Sequence, residues 1–230
     1  MKKTLLLLLL ILSGFSYSQK KFRLEMDYAR FNFDDSSGYM ELYYSFHQNE
    51  LTSIRTDGLE LVRGLLQVTI KDERTGNNVV DKTWQVNDQI SRQQMPENQN
   101  KNLNGVISLQ LGFGKYACTV KACDGYESAK KDSMSFGFEI SPLPKDRFSM
   151  SDIELAGSIN QSDKKPDGFF VKNNYEVIPN PSLVYGEKQP ALFFYAEYYN
   201  LQTASGTVNA EYRLVNAFEK EVYKKNKVLQ

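Results

Sequence analysis

The chain has 230 residues, which is enough for one large or two small domains, and its apolar content of 41% is typical of a folded protein. It carries 28 basic and 28 acidic residues, so no excess of positive charge predicts binding to nucleic acid or to an anionic membrane surface.

The first 20 residues, MKKTLLLLLLILSGFSYSQK, have the pattern of a secretory signal. Lys2 and Lys3 form a basic start, an apolar run follows, and Ser16 and Ser18 are the small residues that a signal peptidase reads. The run is too short to span a bilayer. We therefore expect cleavage after Ser18, which leaves 26 basic against 28 acidic residues and a mature charge of about −2.

From residue 19 to residue 141, apolar and polar residues alternate with a period of two, which is typical of β-strands with one buried face. The side chains expected to share a face are, strand by strand, Phe22, Leu24, Met26 and Tyr28; Met40, Leu42, Tyr44 and Phe46; Leu66, Val68 and Ile70; Val80, Lys82, Trp84 and Val86; Ile107, Leu109 and Leu111; Tyr116, Cys118, Val120 and Ala122; and Met134, Phe136, Phe138 and Ile140. Seven strands with turn sequences at Asp57, Thr75 and Asp124 predict an antiparallel sandwich.

Gly114 and Tyr116 precede an alternating strand in the manner of the tyrosine corner of Greek-key sandwiches. No cysteine lies upstream to form the disulfide of an antibody domain with Cys118, so an immunoglobulin-like sandwich without that disulfide is expected. Cys118 and Cys123 lie five positions apart and face opposite sides of a strand, so they cannot bridge each other. Separate burial of the two thiols is favoured over an intermolecular disulfide.

Residues 142–147 hold two prolines and read as a short linker. Strands then resume with Ile153 and Leu155, and again with Tyr175 and Val177, where Pro179 and the proline after Asn180 are typical of an edge strand. The apolar run Ala191–Leu201 predicts one central strand that is covered on both faces. Val208, Ala210, Tyr212 and Leu214 alternate in the next strand.

The order of strand types repeats within the chain. The segments YMELYYSF, LLQVTIKDERTG and NVVDKTWQV of the first domain correspond to ALFFYAEYYNL, VNAEYRLVNAFE and KEVYKKNKV of the second. The second domain contains no counterpart of the first domain's Gly-x-Tyr strand, so we expect it to be an incomplete sandwich.

Three further segments of the second domain follow one another along the chain. They are SMSDIELA at Ser149–Ala156, VIPNPSLVYG at Val177–Gly186 and FFYAEYYNL at Phe193–Leu201. With the leader and the first β-domain, they resemble the region that precedes the GWxTD domain in the GWxTD-domain family of bacterial envelope proteins. The Gly-Trp-x-Thr-Asp motif itself is absent, since the only tryptophan is Trp84. The resemblance implies an N-terminal portion of such a protein in an envelope compartment, and it implies no residue roles.

Few residues have the pattern of a catalytic or metal site. His47 is the only histidine, so it has no partner histidine for a zinc site and is expected at a loop or a strand end. Ser-x-x-Lys occurs at Ser128 with Lys131 and at Ser162 with Lys165, in both cases without the apolar helix of an acylating enzyme.

Two acidic pairs, Asp34 with Asp35 and Asp163 with Asp167, lack the ligand spacing of a calcium loop and read as solvated turns.

The apolar run Ala191–Leu201 contains a carboxylate that needs a partner, and a set of tyrosines. Burying Glu197 there is costly unless it is paired, and Arg213 is the expected cross-strand partner. The tyrosines of this run could form a sugar-stacking platform, although their place on a doubly covered strand favours core packing; they are Tyr195, Tyr198 and Tyr199.

The sequence thus predicts an all-β fold of two immunoglobulin-like antiparallel β-sandwich domains, the second incomplete, after a cleaved signal peptide. The expected divisions are a signal peptide at 1–18, a first sandwich at 19–141, a linker at 142–147 and a second sandwich at 148–230. No residue is assigned a catalytic, cofactor-binding or metal-binding role.

The expected function is that of a non-enzymatic structural or interaction module in the envelope of a Gram-negative bacterium. Such a module would be exported to the periplasm, the outer membrane or the exterior. Its expected partner is another envelope protein or a strand that completes the second sandwich. A carbohydrate-binding module, an enzyme of an unrecognised kind and a piece of a longer protein with its activity downstream stay open as alternatives.

Overall fold

The computed structural model describes residues 22–91, 101–162, 168–187, 189–201 and 207–229, so the leader and its cleavage site lie outside it. The strands are β1 Leu24–Asn32, β2 Ser37–His47, β3 Ser53–Thr56, β4 Leu59–Asp72, β5 Asn78–Ser91, β6 Asn102–Gly112, β7 Gly114–Asp124, β8 Lys131–Ile140, β9 Ser149–Met150, β10 Glu154–Gln161, β11 Val171–Lys172, β12 Tyr175–Pro179, β13 Phe193–Tyr195, β14 Tyr198–Tyr199, β15 Val208–Val215 and β16 Glu221–Leu229. One 3-10 turn, Gln48–Glu50, is the only helical element in these ranges. The predicted all-β, antiparallel fold is confirmed.

The described residues divide into two compact units, each assembled from separate stretches of chain. The first unit comprises those within 22–26, 44–105 and 116–138, and the second those within 27–43, 106–115 and 139–229. The division predicted from sequence, 19–141 followed by 142–147 and 148–230, stays a prediction.

Strands β1 to β8 form two sheets. The smaller has the order β1-β2-β6, and the larger has the order β3-β4-β7-β8, with β5 paired to β4. Alternation determines which residues they bury: Leu66, Val68 and Ile70 on β4 are buried. They lie opposite β7 residues that are also buried, in the register Leu66↔Ala122, Val68↔Val120 and Ile70↔Cys118. These predicted faces are confirmed.

Side chains of the two sheets pack face to face, as in a sandwich. In the first unit, a Cβ on Gly64 of β4 would lie 3.1 Å from the ring of Phe46 on β2. In the second unit, a Cβ on Gly38 of β2 would lie 2.5 Å from Cγ2 of Ile140 on β8. Glycine at these positions lets the facing strands approach closely.

β2 is buried more completely than its alternation predicts. Met40 and Leu42 are buried as expected, and so are Glu41 and Tyr43, which point to the other face. β2 is the middle strand of its sheet, which leaves neither edge open to solvent. The inward carboxylate of Glu41 therefore requires a partner.

The remaining strands form three small sheets, with orders β11-β12-β10-β13, β9-β14 and β15-β16. The prediction that Ala191–Leu201 is one central strand is wrong, because β13 and β14 are separate and Leu192, Phe194 and Leu201 are exposed. The strand breaks at Glu197, whose N–H donates to Ser151 Oγ at 2.8 Å and whose carbonyl accepts from Ser151 N–H at 2.9 Å.

Two further expectations about the second half differ from the structure. β12 is not an edge strand, since it lies between β11 and β10, and Pro179 is its last residue, where a missing N–H does least harm. Ile153 is 52% exposed and Leu155 is only half-buried, whereas Glu154 and Ala156 are fully buried, so β10 turns inward the face opposite to the one expected. Glu154 on this inward face forms an ion pair with Lys172 of β11.

We predict that Gly38→Ala lowers the free energy of unfolding by about 1–3 kcal/mol, because the new methyl group overpacks against Ile140. Gly137→Ala on β8 is the matched control. A Cβ there meets only Tyr116 O at 3.8 Å, so its effect should stay within about 1 kcal/mol or stabilise the strand. Urea denaturation of both variants makes the comparison, and equal effects would contradict the close packing at Gly38.

Candidate functional site

The second compact unit contains a buried lysine. Lys172 on β11 donates hydrogen bonds to Glu41 on β2, to Glu154 on β10 and, at 3.1 Å, to Tyr43 Oη. The side chains of Lys172, Glu41 and Glu154 are only 13%, 9% and 0% exposed. A lysine ammonium has three N–H donors and no acceptor, so these three acceptors satisfy it fully.

Three aromatic rings surround the same ammonium. Its nitrogen lies 4.9 Å from the ring centre of Phe31, 5.1 Å from that of Tyr43 and 5.5 Å from that of Tyr195. At these distances the negative face of each ring attracts a cation, and the attraction strengthens when the charge is desolvated. We refer to the residues around Lys172 as the ammonium cage; they are Phe31, Glu41, Tyr43, Glu154 and Tyr195.

The ammonium cage holds two carboxyl groups for one ammonium. Tyr43 Oη donates to Glu41 Oε2 at 2.8 Å, which helps to satisfy that carboxylate. Glu154 Oε1 is buried without a hydrogen-bond partner in the part of the chain that the structure describes. Burial raises the pKa of Glu154 above its ordinary value, against the opposing attraction of Lys172, and the charge of Glu41 raises it further.

Tyr43 is held in its neutral form. Burial is the main cause that raises the pKa of its hydroxyl, and the charges of Glu154 and Glu41 add to the effect. Since a neutral hydroxyl both donates and accepts, Tyr43 Oη donates to Glu41 and at the same time accepts from Lys172.

The backbone around β11 presents Lys172 to the cage. Lys172 is followed by Asn173 and Asn174, whose φ angles of 45° and 67° are left-handed. Asparagine adopts this conformation more readily than most residues, and here it turns the chain back into β12. Sequence analysis assigned no role to Lys172, Glu41 or Glu154. The only signal in the sequence was that each of two apolar strands carries a carboxylate on the face opposite to the one expected to be buried.

A second polar network lies beside the cage and centres on Glu197. Its Oε1 accepts from Tyr195 Oη at 2.8 Å, and its Oε2 accepts from Tyr199 Oη at 2.7 Å. The expected partner Arg213 is not involved, because Arg213 pairs with Glu211 at 3.1 Å. The predicted Glu197–Arg213 pair is therefore wrong, and tyrosine hydroxyls take its place.

The three tyrosines weighed as a sugar platform are half-buried. Their hydroxyls are engaged internally, those of Tyr195 and Tyr199 by Glu197 and that of Tyr198 by Tyr212 at 3.3 Å. Rings held in this way brace the loop between β13 and β14 against its neighbours.

A cavity of about 280 Å³ adjoins this network in the same unit, lined in part by Leu143, Met150 and Tyr199. The charged residues in its lining are Arg30, Glu139 and Asp152, and Arg30 forms a bidentate pair with Asp152 at 2.6 and 2.9 Å and donates to Glu139 O at 2.9 Å. The guanidinium is therefore already bound within the protein.

The other residues singled out by sequence are not members of the cage. His47 ends β2, with Nε2 at 3.2 Å from Glu25 and 3.1 Å from Arg23. Ser128 lies in the turn before β8, and Lys131 begins that strand. Lys165 lies outside the described residues.

Asp34 closes a turn by accepting from Ser36 and Ser37, and Asp35 pairs with Lys145 at 2.5 Å. Asp163 and Asp167 lie outside the described residues. Within the described ranges, no group of three or more histidine, cysteine or acidic side chains could hold a metal ion.

Both cysteines lie on β7, and neither forms a disulfide within the part of the chain that the structure describes. Cys118 is buried, which raises the pKa of its thiol to about 12, and Cys123 is half-buried.

No known family model matches this chain, and no curated protein matches it. No helix in the described part of the chain has the length and apolar character needed to cross a membrane. What the protein does is therefore inferred from the geometry of its own residues.

We predict a pH dependence of stability that arises from Glu154, which faces Glu41 and Tyr43 of β2 and Lys172 of β11. Because its pKa is raised in the folded state, the native protein keeps a proton that the unfolded chain loses above pH 4.5. The contribution of Glu154 therefore falls as pH rises from 4.5 through the native pKa. Urea unfolding between pH 5 and 8 should show a steeper fall for the wild type than for Glu154→Gln.

The exposed carboxylate Glu221 on β16 provides the control for this comparison. Glu221→Gln should follow the wild-type curve. Parallel curves for wild type and Glu154→Gln would contradict the assignment.

We also predict that Glu197→Ala lowers the free energy of unfolding by about 1–3 kcal/mol, since it strips two tyrosine hydroxyls of their acceptor. Arg213→Ala, on an exposed side chain, should change it by less than about 0.5 kcal/mol. Thermal melts of the two variants compare the two losses of stability. A larger loss for Arg213→Ala than for Glu197→Ala would support the Glu197–Arg213 pair instead.

Proposed function

We propose that the protein is a non-enzymatic structural or interaction module of a bacterial cell envelope, which binds another envelope protein by accepting a β-strand from it. The observation that carries this proposal is the two-stranded ribbon β15–β16. The signal pattern of residues 1–18 and the resemblance to GWxTD-domain proteins support an exported location.

The two outer edges of the ribbon pair with no strand that the structure describes. β15 and β16 pair with each other from Val208↔Leu229 to Val215↔Glu221. Among the described strands, each therefore has one edge whose N–H and C=O groups no neighbouring strand takes up. A two-stranded ribbon is marginally stable by itself, so a third strand would stabilise it considerably.

The side chains of the ribbon also favour a partner. Leu214, Val215, Val222, Tyr223 and Val228 are each between 48% and 57% exposed. Exposed apolar residues on an open strand edge are a ready template for pairing with another chain.

Tyr212 anchors the ribbon to other residues of the second unit. Tyr212 contacts the ring of Phe194, with the ring centres 5.4 Å apart, and bonds to the hydroxyl of Tyr198. The anchor fixes β15 beside β13. The aliphatic residues beyond it stay accessible.

Photo-crosslinking in the source bacterium tests the proposal. A photoreactive residue in place of Tyr223 should yield one discrete adduct with an envelope protein, and the same residue in place of Val184 should yield none. Val184 is a matched control because it is exposed and apolar but lies in a loop. Val228→Glu should abolish the adduct, and Val184→Glu should retain it.

The purified pair then tests the mode of binding. Strand addition pairs backbone groups, so amide exchange in β15 or β16 should slow at least tenfold on binding. Recovery of the native protein as a cytoplasmic monomer, or equal adducts from both positions, would overturn the proposal.

A further inference from the structure

The ammonium cage has the composition of a receptor for a primary ammonium group. Two carboxylates and one hydroxyl supply acceptors for three N–H donors, and three rings enclose the remaining directions. Quaternary ammonium ions have no N–H to donate, and a guanidinium is planar, so neither matches this arrangement. The cage is therefore selective in shape and chemistry for one class of cation.

Lys172, whose ammonium group fills the cage, lies on the short strand β11. β11 has two residues and, among the described strands, lies at the edge of its sheet and pairs only with β12, through Val171↔Glu176 and Lys172↔Tyr175. Two other backbone hydrogen bonds fix the segment that leads into β11. Val171 N–H donates to Gly168 O at 3.0 Å, and Val177 N–H donates to Phe170 O at 2.8 Å.

The chain around Lys172 is partly or largely exposed to solvent. Phe169 is 86% exposed, and Val171 is only half-buried. Short edge strands with few buried contacts open locally at low free energy. The side chain of Lys172 ties this strand to β2 and β10.

We propose that the ammonium cage is a binding site for primary alkylammonium ligands, which Lys172 fills from within and which an external amine can occupy when β11 opens. Two carboxyl groups close together in a dry site repel each other when both are ionised, so without a cation the cage must either bear this repulsion or protonate one carboxyl group. Opening of β11 without a replacement cation carries that cost. An external ammonium removes it and so traps the open strand.

The variant Lys172→Ala tests the binding half of this proposal, because n-propylammonium restores the atoms that the substitution removes. The variant should melt at a lower temperature than the wild type. At about ten times its Kd, n-propylammonium chloride should then raise the Tm by about 3–6 °C, and tetramethylammonium chloride at equal concentration should not. Lys145→Ala, which removes an exposed lysine, should show no difference between the two salts.

Equal effects of the two salts on Lys172→Ala would overturn the proposal. Should that variant fail to fold, Lys172→Met retains most of the side-chain volume and removes the charge. Its melting temperature should not respond specifically to n-propylammonium, since the methionine side chain occupies the space.

The wild-type protein tests whether an external amine can replace Lys172 in the cage. The amides of Lys172 and Val177 should exchange with solvent faster in proportion to the n-propylammonium concentration, reaching about tenfold at ten times the Kd. The amide of Val68, in the middle of β4, should be unaffected. Unchanged exchange at β11, or a uniform increase at all three amides, would show that the cage does not release Lys172.

Discussion

The ammonium of Lys172 joins three strands at one buried point, and much of the second compact unit is arranged to satisfy it. Its partners come from β10, the strand before β11, and from β2, which is far away in sequence, so the contact fixes the positions of both strands relative to β11. Removing one member of such a buried cluster typically costs about 3–5 kcal/mol, because the remaining charge stays desolvated. A contact of this kind specifies one arrangement of strands more strictly than apolar packing does, since apolar side chains tolerate small shifts.

Glu197 shows a different way to keep a carboxylate within an apolar region. Glu154 is neutralised by a cation, whereas Glu197 is solvated by two tyrosine hydroxyls. The two networks meet at Tyr195, whose ring faces Lys172 and whose hydroxyl donates to Glu197. One side chain therefore serves both carboxylates, so a shift of β13 would disturb both networks.

Period-two alternation predicted the strands of the first half well, because burial on one face is what produces alternation. Leu66, Val68 and Ile70, and the β7 residues opposite them, were found by this signal. Alternation does not say which face is inward when both faces carry apolar residues. The cage was missed for that reason, since Glu41 and Glu154 lie on second faces whose burial depends on partners from other strands.

The run Ala191–Leu201 failed as a prediction for a related reason. Its apolar content indicates burial, but the backbone at Glu197 bonds to Ser151 instead of continuing a ladder. Local composition cannot reveal a hydrogen bond to a residue more than forty positions away. The two polar networks hold their strands in place, whereas the ribbon β15–β16 pairs with no other described strand and has exposed apolar residues. Binding surfaces are drawn from the less stable parts of a structure, because only unpaired groups can gain from a partner. That contrast in pairing is the physical reason to look for a partner at the ribbon and for a ligand only where β11 can open.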